Sequence, residues 1–258
     1  MPIRFSTSLL LLLLLATASL DAAVFQYRLS VATQKGERDA FLWLPPASEQ
    51  IRGVLVAGMT LAEREAVQDP EVRAVCREAD LAILFSSTGL GALDLPELLQ
   101  QAAELSGYSE LPRAPLAFIG HSAGGPQAKA KARTYADRCF ALMQYRGGGP
   151  GGEEPVPAGV PCLMMVGQFD EFAGVMREEG GREPAWAGAL THCAAYRDAD
   201  PAHLASIIVE AGAGHFAWSQ RCAAYFSLFL QKAAAARLPQ EWPAEGPVVC
   251  RTIDPATG

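Results

Sequence analysis

The feature that most constrains the fold is an alternation of short apolar runs with helical segments. Segments rich in helix formers, such as 70–79, 95–105 and 126–138, separate apolar runs at 53–57, 81–85, 116–119, 141–144, 162–166 and 206–209. Continuous apolar strands that alternate with helices indicate a parallel sheet covered on both faces. Two more strands are predicted at 25–32 and 40–44, and a last helix at 218–236. The fold class is therefore α/β, with a mostly parallel twisted sheet of about eight strands and helices on both faces.

The N-terminus has the pattern of a secretory signal peptide. A basic start with Arg4 precedes a leucine run at 9–15 and an Ala-x-Ala site, and we expect cleavage after Ala18 or Ala22. The apolar segment is short for a stable membrane anchor, so we expect a secreted or periplasmic protein; an uncleaved anchor is the less favoured alternative. The expected organisation is a signal peptide at 1–22, one domain at 23–240, and a tail at 241–258 packed on or trailing the domain.

Charge and cysteine content restrict the possible partners and cofactors. The net charge is −7 and no run of Lys and Arg could neutralise phosphates, so nucleic-acid binding is not expected. The six cysteines lack zinc spacing, and no metal site is predicted. Six cysteines allow 15 pairings. We interpret Cys162, in an apolar strand, as a buried free thiol, and Cys193 with Cys222 as a candidate disulfide.

The segment Gly120-His121-Ser122-Ala123-Gly124-Gly125 directly follows the apolar run 116–119 and precedes a helical segment. A GxSxG string between a strand and a helix is typical of a nucleophile elbow, a sharp turn that exposes a serine hydroxyl above the sheet. The following helix directs its N-terminal amides towards the reacting oxygen. Ser122 is therefore the predicted nucleophile.

A serine hydroxyl needs a base within hydrogen-bond reach and an acid to orient that base, in the chain order Ser, Asp or Glu, His. His215 follows the strand 206–209 and a glycine-containing loop, and it is the predicted base. His121 lies inside the elbow, and the other two histidines fall in or near a helix. Asp170, in the turn after the strand 162–166, is the predicted acid, with Glu171 as the alternative.

Two backbone N–H groups should stabilise the oxyanion that forms during acyl transfer. One is expected from Ala123, directly after the nucleophile, and the other from Met59, in the loop after the strand 53–57. Candidate substrate contacts are Thr60, Tyr145 and Trp186, each of which could equally be a packing residue.

Together, the loop Ala57-Gly58-Met59-Thr60, the elbow, Gly167-Gln168-Phe169-Asp170 and Gly214-His215-Phe216 resemble the α/β-hydrolase superfamily over nearly the whole mature chain. Ser-Ala-Gly-Gly at the elbow and Gly-x-Thr in the loop after the first parallel strand are similar to secreted esterases of the polyhydroxyalkanoate depolymerase and feruloyl esterase type. Those families usually carry His-Gly in that loop, where this chain has Ala57-Gly58.

The resemblance implies an exported serine hydrolase that cleaves carboxylic esters, small or polymer-borne, through an acyl-enzyme and without a metal or organic cofactor. No long insertion suitable for a lipase lid is present in the sequence. Two alternatives stay open. The same three residues could act on a peptide or a thioester, or the chain could be a hydrolase-like binding module without turnover.

Overall fold

A computed structural model describes residues 25–172, 174–176 and 182–253, so the predicted signal peptide lies outside the described residues. The strands are β1 Tyr27–Thr33, β2 Gly36–Trp43, β3 Gly53–Ala57, β4 Leu81–Ser86, β5 Leu116–His121, β6 Cys139–Tyr145, β7 Cys162–Gly167, β8 Gly174–Met176, β9 Arg182–Pro184 and β10 Ala205–Glu210. The helices are α1 Leu61–Gln68, α2 Pro70–Glu78, α3 Leu95–Ser106, α4 Gly124–Thr134, α5 Ala185–Ala199 and α6 Gln220–Arg237.

Eight strands form one sheet in the order β1-β2-β4-β3-β5-β6-β7-β10, while β8 and β9 form a small hairpin of their own. Strand β2 pairs antiparallel with both of its neighbours, and every other neighbouring pair in the large sheet is parallel. The predicted fold class, a mostly parallel sheet of about eight strands with helices, is confirmed. The parallel strands end at a common edge, where the loops that carry the predicted site residues meet.

The core consists of two apolar layers, one on each face of the sheet. Alternate residues of β3 face opposite layers: Val54 and Val56 belong to one, Leu55 to the other. Helices α3, α4 and α5 contribute to the first layer, and α1, α2 and α6 to the second. This burial on both faces explains why the strands appear in the sequence as continuous apolar runs.

Some elements differ from the sequence expectation, and the β8–β9 hairpin was not predicted. Helix α1 was not predicted; it begins after Thr60, and Glu63 lies three residues beyond that cap, the spacing of a capping box. The helix predicted at 126–138 ends at Thr134, and a separate 3-10 turn covers Ala136–Arg138.

The expected pairing of Cys193 with Cys222 is wrong. All six cysteines are buried free thiols in the structure. Cys193 packs in the layer of α5 and Cys222 in the layer of α6, so the sheet lies between them. Cys162 is a buried free thiol, as the sequence suggested.

The C-terminal segment up to residue 253 packs on the domain. The N–H of Val248 donates to the carbonyl of Arg113, and the N–H of Cys250 donates to that of Asp137, at 3.0 and 2.7 Å. These partners precede β5 and β6, so the segment lies at the edge of the sheet opposite Ser122. Among the described residues, no helix has the length and apolar character needed to cross a membrane.

Candidate active site

Ser122 occupies a tight turn between β5 and α4. Its φ is +53°, in the left-handed region that a serine rarely adopts, and its N–H donates to the carbonyl of Tyr145 at 3.0 Å. The turn is closed by a second hydrogen bond, from the N–H of Gly125 to the carbonyl of Ser122, at 3.0 Å. This is the strand, turn and helix geometry that holds a side chain above the edge of a sheet, and the serine is half-buried there.

Asp170 and His215 are brought together from loops that follow β7 and β10. The imidazole Nδ1 of His215 lies 2.9 Å from Oδ1 and 3.0 Å from Oδ2 of Asp170, and both side chains are buried. Because a carboxylate can only accept, Nδ1 of His215 carries the shared proton. The unprotonated nitrogen of the neutral ring is then Nε2, which is available as a base.

Glu171, the alternative acid, has a different partner. Its Oε2 accepts a hydrogen bond from the backbone N–H of His215 at 2.9 Å, and that bond lowers the pKa of Glu171. The imidazole is held by Asp170 and the main chain of the same histidine by Glu171. The two adjacent carboxyl groups therefore fix different parts of His215.

His121, the residue before Ser122, packs directly on His215. Their ring centroids are 4.9 Å apart, and His121 Nε2 lies 3.1 Å from the carbonyl oxygen of His215. Because that oxygen only accepts, Nε2 of His121 is the protonated nitrogen of the ring. Burial lowers the pKa of His121, which favours the neutral ring. The contact brings the elbow and the loop of His215 to the same place, and sequence analysis did not foresee it.

The loop after β3 contains Met59, an expected oxyanion donor, and Thr60, a candidate substrate contact. The side chain of Met59 is 58 % exposed, and Thr60 is the N-cap of α1. Ala123 follows Ser122 in the turn into α4, with an exposed side chain. Glu63, which sequence analysis missed, is buried between this loop and the elbow. Its signal in the sequence is the capping-box spacing Thr60-x-x-Glu63.

The candidate substrate contacts have different surroundings. Tyr145 is fully buried, its hydroxyl bonds to the carbonyl of Ala217, and its ring packs edge-on to Trp218. The expectation that Tyr145 contacts substrate does not agree with this placement, because a tyrosine at the end of a buried strand packs beneath the loops. Trp186 is half-buried at the start of α5 against Met164 and Val166.

Two phenylalanines that the sequence did not single out surround His215. Phe172 and Phe216 are 64 % and 51 % exposed, and their ring centroids lie 4.9 and 4.8 Å from that of His215. The two phenylalanine rings also meet each other edge-on at 5.5 Å. The two rings cover His215 with apolar surface that is itself exposed to solvent.

A buried ion pair lies behind the loop of His215. The guanidinium of Arg146 contacts Oε2 of Glu210, while Oε1 of Glu210 accepts from the hydroxyl of Ser219. Glu210 ends β10 and Ser219 caps α6, so the pair fixes both ends of the loop that carries His215. No group of three His, Cys, Asp or Glu side chains within the described ranges could hold a metal ion.

No family model and no curated protein sequence matches the chain. Several solved structures are similar to it in fold. Est1E from Butyrivibrio proteoclasticus is 13 % identical, with a TM-score of 0.51 over 81 % of this chain and 99 % of that one. EstE1, a thermophilic carboxylesterase from a metagenomic library, is 14 % identical, with a TM-score of 0.54 over 91 % and 99 %.

A third similar structure is XC6422 from Xanthomonas campestris, described as an α/β serine hydrolase without a lid. It is 17 % identical, with a TM-score of 0.50 over 83 % of this chain and 96 % of that one. At such identities a structural likeness concerns the arrangement of the backbone. On that ground the chain has the α/β-hydrolase fold.

Proposed function

We propose that the protein is a serine hydrolase of carboxylic esters in which Ser122 is the nucleophile, His215 the base and Asp170 the acid. The observation that carries the proposal is the coincidence of two uncommon arrangements at one edge of the sheet. Ser122 has a left-handed φ of +53° between a strand and a helix. The preceding residue, His121, packs against a histidine whose Nδ1 is held by a buried aspartate.

The proposed reaction begins when the Oγ of Ser122 forms a bond to the ester carbonyl carbon and its proton passes to Nε2 of His215. The C–O bond to the alcohol then breaks, and the imidazolium gives the proton to the departing oxygen. Water repeats the sequence on the acyl-enzyme, releasing the acid and restoring the serine. Asp170 keeps the proton on Nδ1 throughout and stabilises the imidazolium.

The negative charge that develops on the carbonyl oxygen needs donors that are already in place. We assign these to the backbone N–H groups of Ala123 and Met59. The positive end of the α4 dipole adds to the stabilisation, because α4 begins at Gly124, two residues after the nucleophile.

Phe172 and Phe216 favour an ester with an apolar portion, since they offer exposed apolar surface beside His215. The proposed substrate is a small or polymer-borne ester, as in the polyhydroxyalkanoate depolymerase and feruloyl esterase type. Thr60 and Trp186 remain proposed substrate contacts. Export to the periplasm or medium is proposed from the sequence pattern of residues 1–22.

The test is labelling with a fluorophosphonate, followed by mass spectrometry of the labelled peptide. We expect one adduct, on Ser122, and none in Ser122→Ala. A folded wild-type protein that takes no label, or a Ser122→Ala variant that labels equally, would overturn the serine-hydrolase proposal and leave the binding module as the interpretation.

Substrate comparison then separates the bond classes. We expect faster turnover of p-nitrophenyl acetate than of the matched anilide and of a matched thioester. Faster cleavage of the anilide or the thioester would contradict the ester assignment and support the peptidase or the thioesterase instead. For export, the N-terminal sequence of the protein recovered from its natural host should begin after Ala18 or Ala22.

A further inference from the structure

Glu63 is a buried carboxylate that joins two loops of the site. It is 1 % exposed, and its Oε1 accepts from the backbone N–H of His121 at 2.7 Å. Its Oε2 accepts from the backbone N–H of Thr60 at 3.3 Å. The bond to Thr60 is the local back-bond of a capping box; the bond to His121 spans 58 residues and has no part in capping.

The chain leaves space for this carboxylate on both sides. A Cβ on Gly58 would lie 2.8 Å from Oε2 of Glu63, and a Cβ on Gly124 would lie 2.2 Å from Oε1. Gly58 belongs to the loop after β3, and Gly124 is the second glycine of the elbow. Any larger residue at Gly124 would displace the carboxylate or the turn, so the glycine and the glutamate form one packed unit.

The two N–H groups that Glu63 accepts from flank the two that stabilise the oxyanion in the proposed function. Met59 directly precedes Thr60, and Ala123 follows His121 by two residues. A single carboxylate therefore sets the separation and orientation of the two main-chain segments that supply the donors. Donors of this kind act only when they are aligned before the charge develops.

Resting on the proposed function, we propose that Glu63 is a positioning residue that holds the loop of Met59 and the elbow of Ala123 in register as one oxyanion hole. It touches neither substrate nor reacting atom. It acts through backbone hydrogen bonds that it accepts from both segments, including those from Thr60 and His121.

The burial of Glu63 has an energetic cost that capping alone would not require. Burial raises the pKa of Glu63, and the hydrogen bond from the N–H of His121 is the strongest of several that lower this pKa in compensation. A capping glutamate normally stays in solvent, where it meets no such penalty. The structure thus keeps a poorly solvated carboxylate where it can reach both loops.

The first variant is Glu63→Gln, which keeps the shape of the side chain. An amide offers one acceptor oxygen and turns its NH2 group towards the other backbone donor, so one of the two bonds is lost. We expect kcat for p-nitrophenyl acetate to fall about 10- to 100-fold, towards the loss seen when an oxyanion donor is removed. KM should stay within about threefold, because the interaction is made in the transition state. Glu65→Gln, an exposed glutamate on the same helix, is the matched control and should keep the wild-type kcat.

A second readout is the affinity for a trifluoromethyl ketone, which forms an oxyanion on Ser122. Its affinity should weaken in proportion to kcat/KM in Glu63→Gln, while the Tm shifts by only a few degrees. A Glu63→Gln protein with kcat within threefold of wild type and unchanged ketone affinity would overturn the positioning role. A fall in Tm alone, with both readouts unchanged, would show a purely structural role.

If Glu63→Gln does not fold, Glu63→Asp takes its place, since it keeps the charge but is one methylene shorter. We expect the same loss of kcat with KM preserved, and a wild-type kcat would overturn the proposal. The wild-type protein distinguishes this inference from the proposed function. If it takes no fluorophosphonate label, the serine-hydrolase proposal fails; if it labels and turns over ester while the Glu63 variants match it, only the positioning role fails.

Discussion

The two sides of the site are held in different ways. On the side of the elbow, the buried carboxylate of Glu63 accepts hydrogen bonds from backbone N–H groups of two loops. On the side of the histidine, the buried carboxylate of Glu210 pairs with the guanidinium of Arg146 and accepts from Ser219. The first arrangement fixes main-chain donors, and the second fixes the ends of a loop.

The difference predicts different responses to substitution. A carboxylate that accepts backbone bonds without a cation can be made neutral without leaving a charge behind, so its loss should affect alignment more than stability. A carboxylate that neutralises a buried guanidinium leaves an uncompensated charge when it is removed. Substitutions on the elbow side should therefore mainly lower kcat. Substitutions on the histidine side should lower the free energy of unfolding as well.

The largest effect is expected within the histidine side, at the two adjacent carboxyl groups. Asp170→Asn should lower kcat by about 10⁴-fold, because an amide no longer holds the proton on Nδ1 of His215. Glu171→Gln should lower kcat by about fivefold or less, since an amide oxygen can still accept from the backbone N–H of His215. Steady-state hydrolysis of p-nitrophenyl acetate measures both. Equal losses of kcat in the two variants would contradict the assignment of Asp170 as the sole acid and mean that both carboxyl groups orient the imidazole.

The next effect concerns the buried ion pair. Glu210→Gln should lower the free energy of unfolding by about 3–5 kcal/mol, because it leaves the guanidinium of Arg146 buried and unpaired. Urea denaturation measures the loss, and Arg146→Met in the same chain should restore much of it. The exposed pair of Arg28 with Asp39 is the control, and Arg28→Gln should cause no measurable change. A Glu210→Gln protein as stable as wild type would remove the contrast between the two sides.

The elbow side is tested by filling the space next to Glu63. Gly124→Ala places a Cβ 2.2 Å from Oε1 of Glu63 and should cost about 1–3 kcal/mol of unfolding free energy. The cost should shrink in a Glu63→Ala background, with a coupling energy of about 0.5–3 kcal/mol in a double-mutant cycle. Gly188→Ala, a helical glycine whose Cβ would meet nothing within 4 Å, is the control and should be neutral or stabilising. Additive effects of Gly124→Ala and Glu63→Ala would show that the two residues do not interact.

The smallest effect is a dependence of stability on pH that comes from His121. Burial lowers its pKa below the ordinary value of 6.5, so between the folded pKa and 6.5 the unfolded chain binds the additional proton. Stability from this group is complete above about pH 6.5 and declines as the pH falls through the folded pKa. Urea denaturation at pH 7.5, 6.5 and 5.5 should show a shallower decline in His121→Asn than in wild type. A steeper decline in the variant would contradict the neutral, buried imidazole.

Much of the fold was predictable because apolar runs and helical segments mark a sheet buried on both faces. The candidate site residues could also be located from the sequence, since Ser122, Asp170 and His215 each follow a predicted strand. Contacts between distant segments could not be predicted from the sequence. Glu63 has a local signal, the capping-box spacing, but its bond to His121 depends on how α1 lies against the elbow.

Two adjacent positions illustrate a second kind of failure. Tyr145 ends β6 and Arg146 directly follows it, and the sequence does not show which of the two is buried. The structure buries both: the tyrosine bonds to Ala217 and the arginine pairs with Glu210. The choice between Asp170 and Glu171 likewise needed coordinates, because one residue of shift in a turn changes which carboxyl group reaches the imidazole.

The left-handed backbone of Ser122 has a consequence for protein engineering. Glycine adopts a positive φ without the steric penalty that a serine meets, so Ser122→Gly should stabilise the folded state although glycine has no hydroxyl. A laboratory selection that rewards only expression level or heat resistance should therefore enrich Ser122→Gly and discard the proposed chemistry. Libraries built from this chain need a screen for turnover at every round, since fitness for folding and fitness for reaction diverge at this one residue.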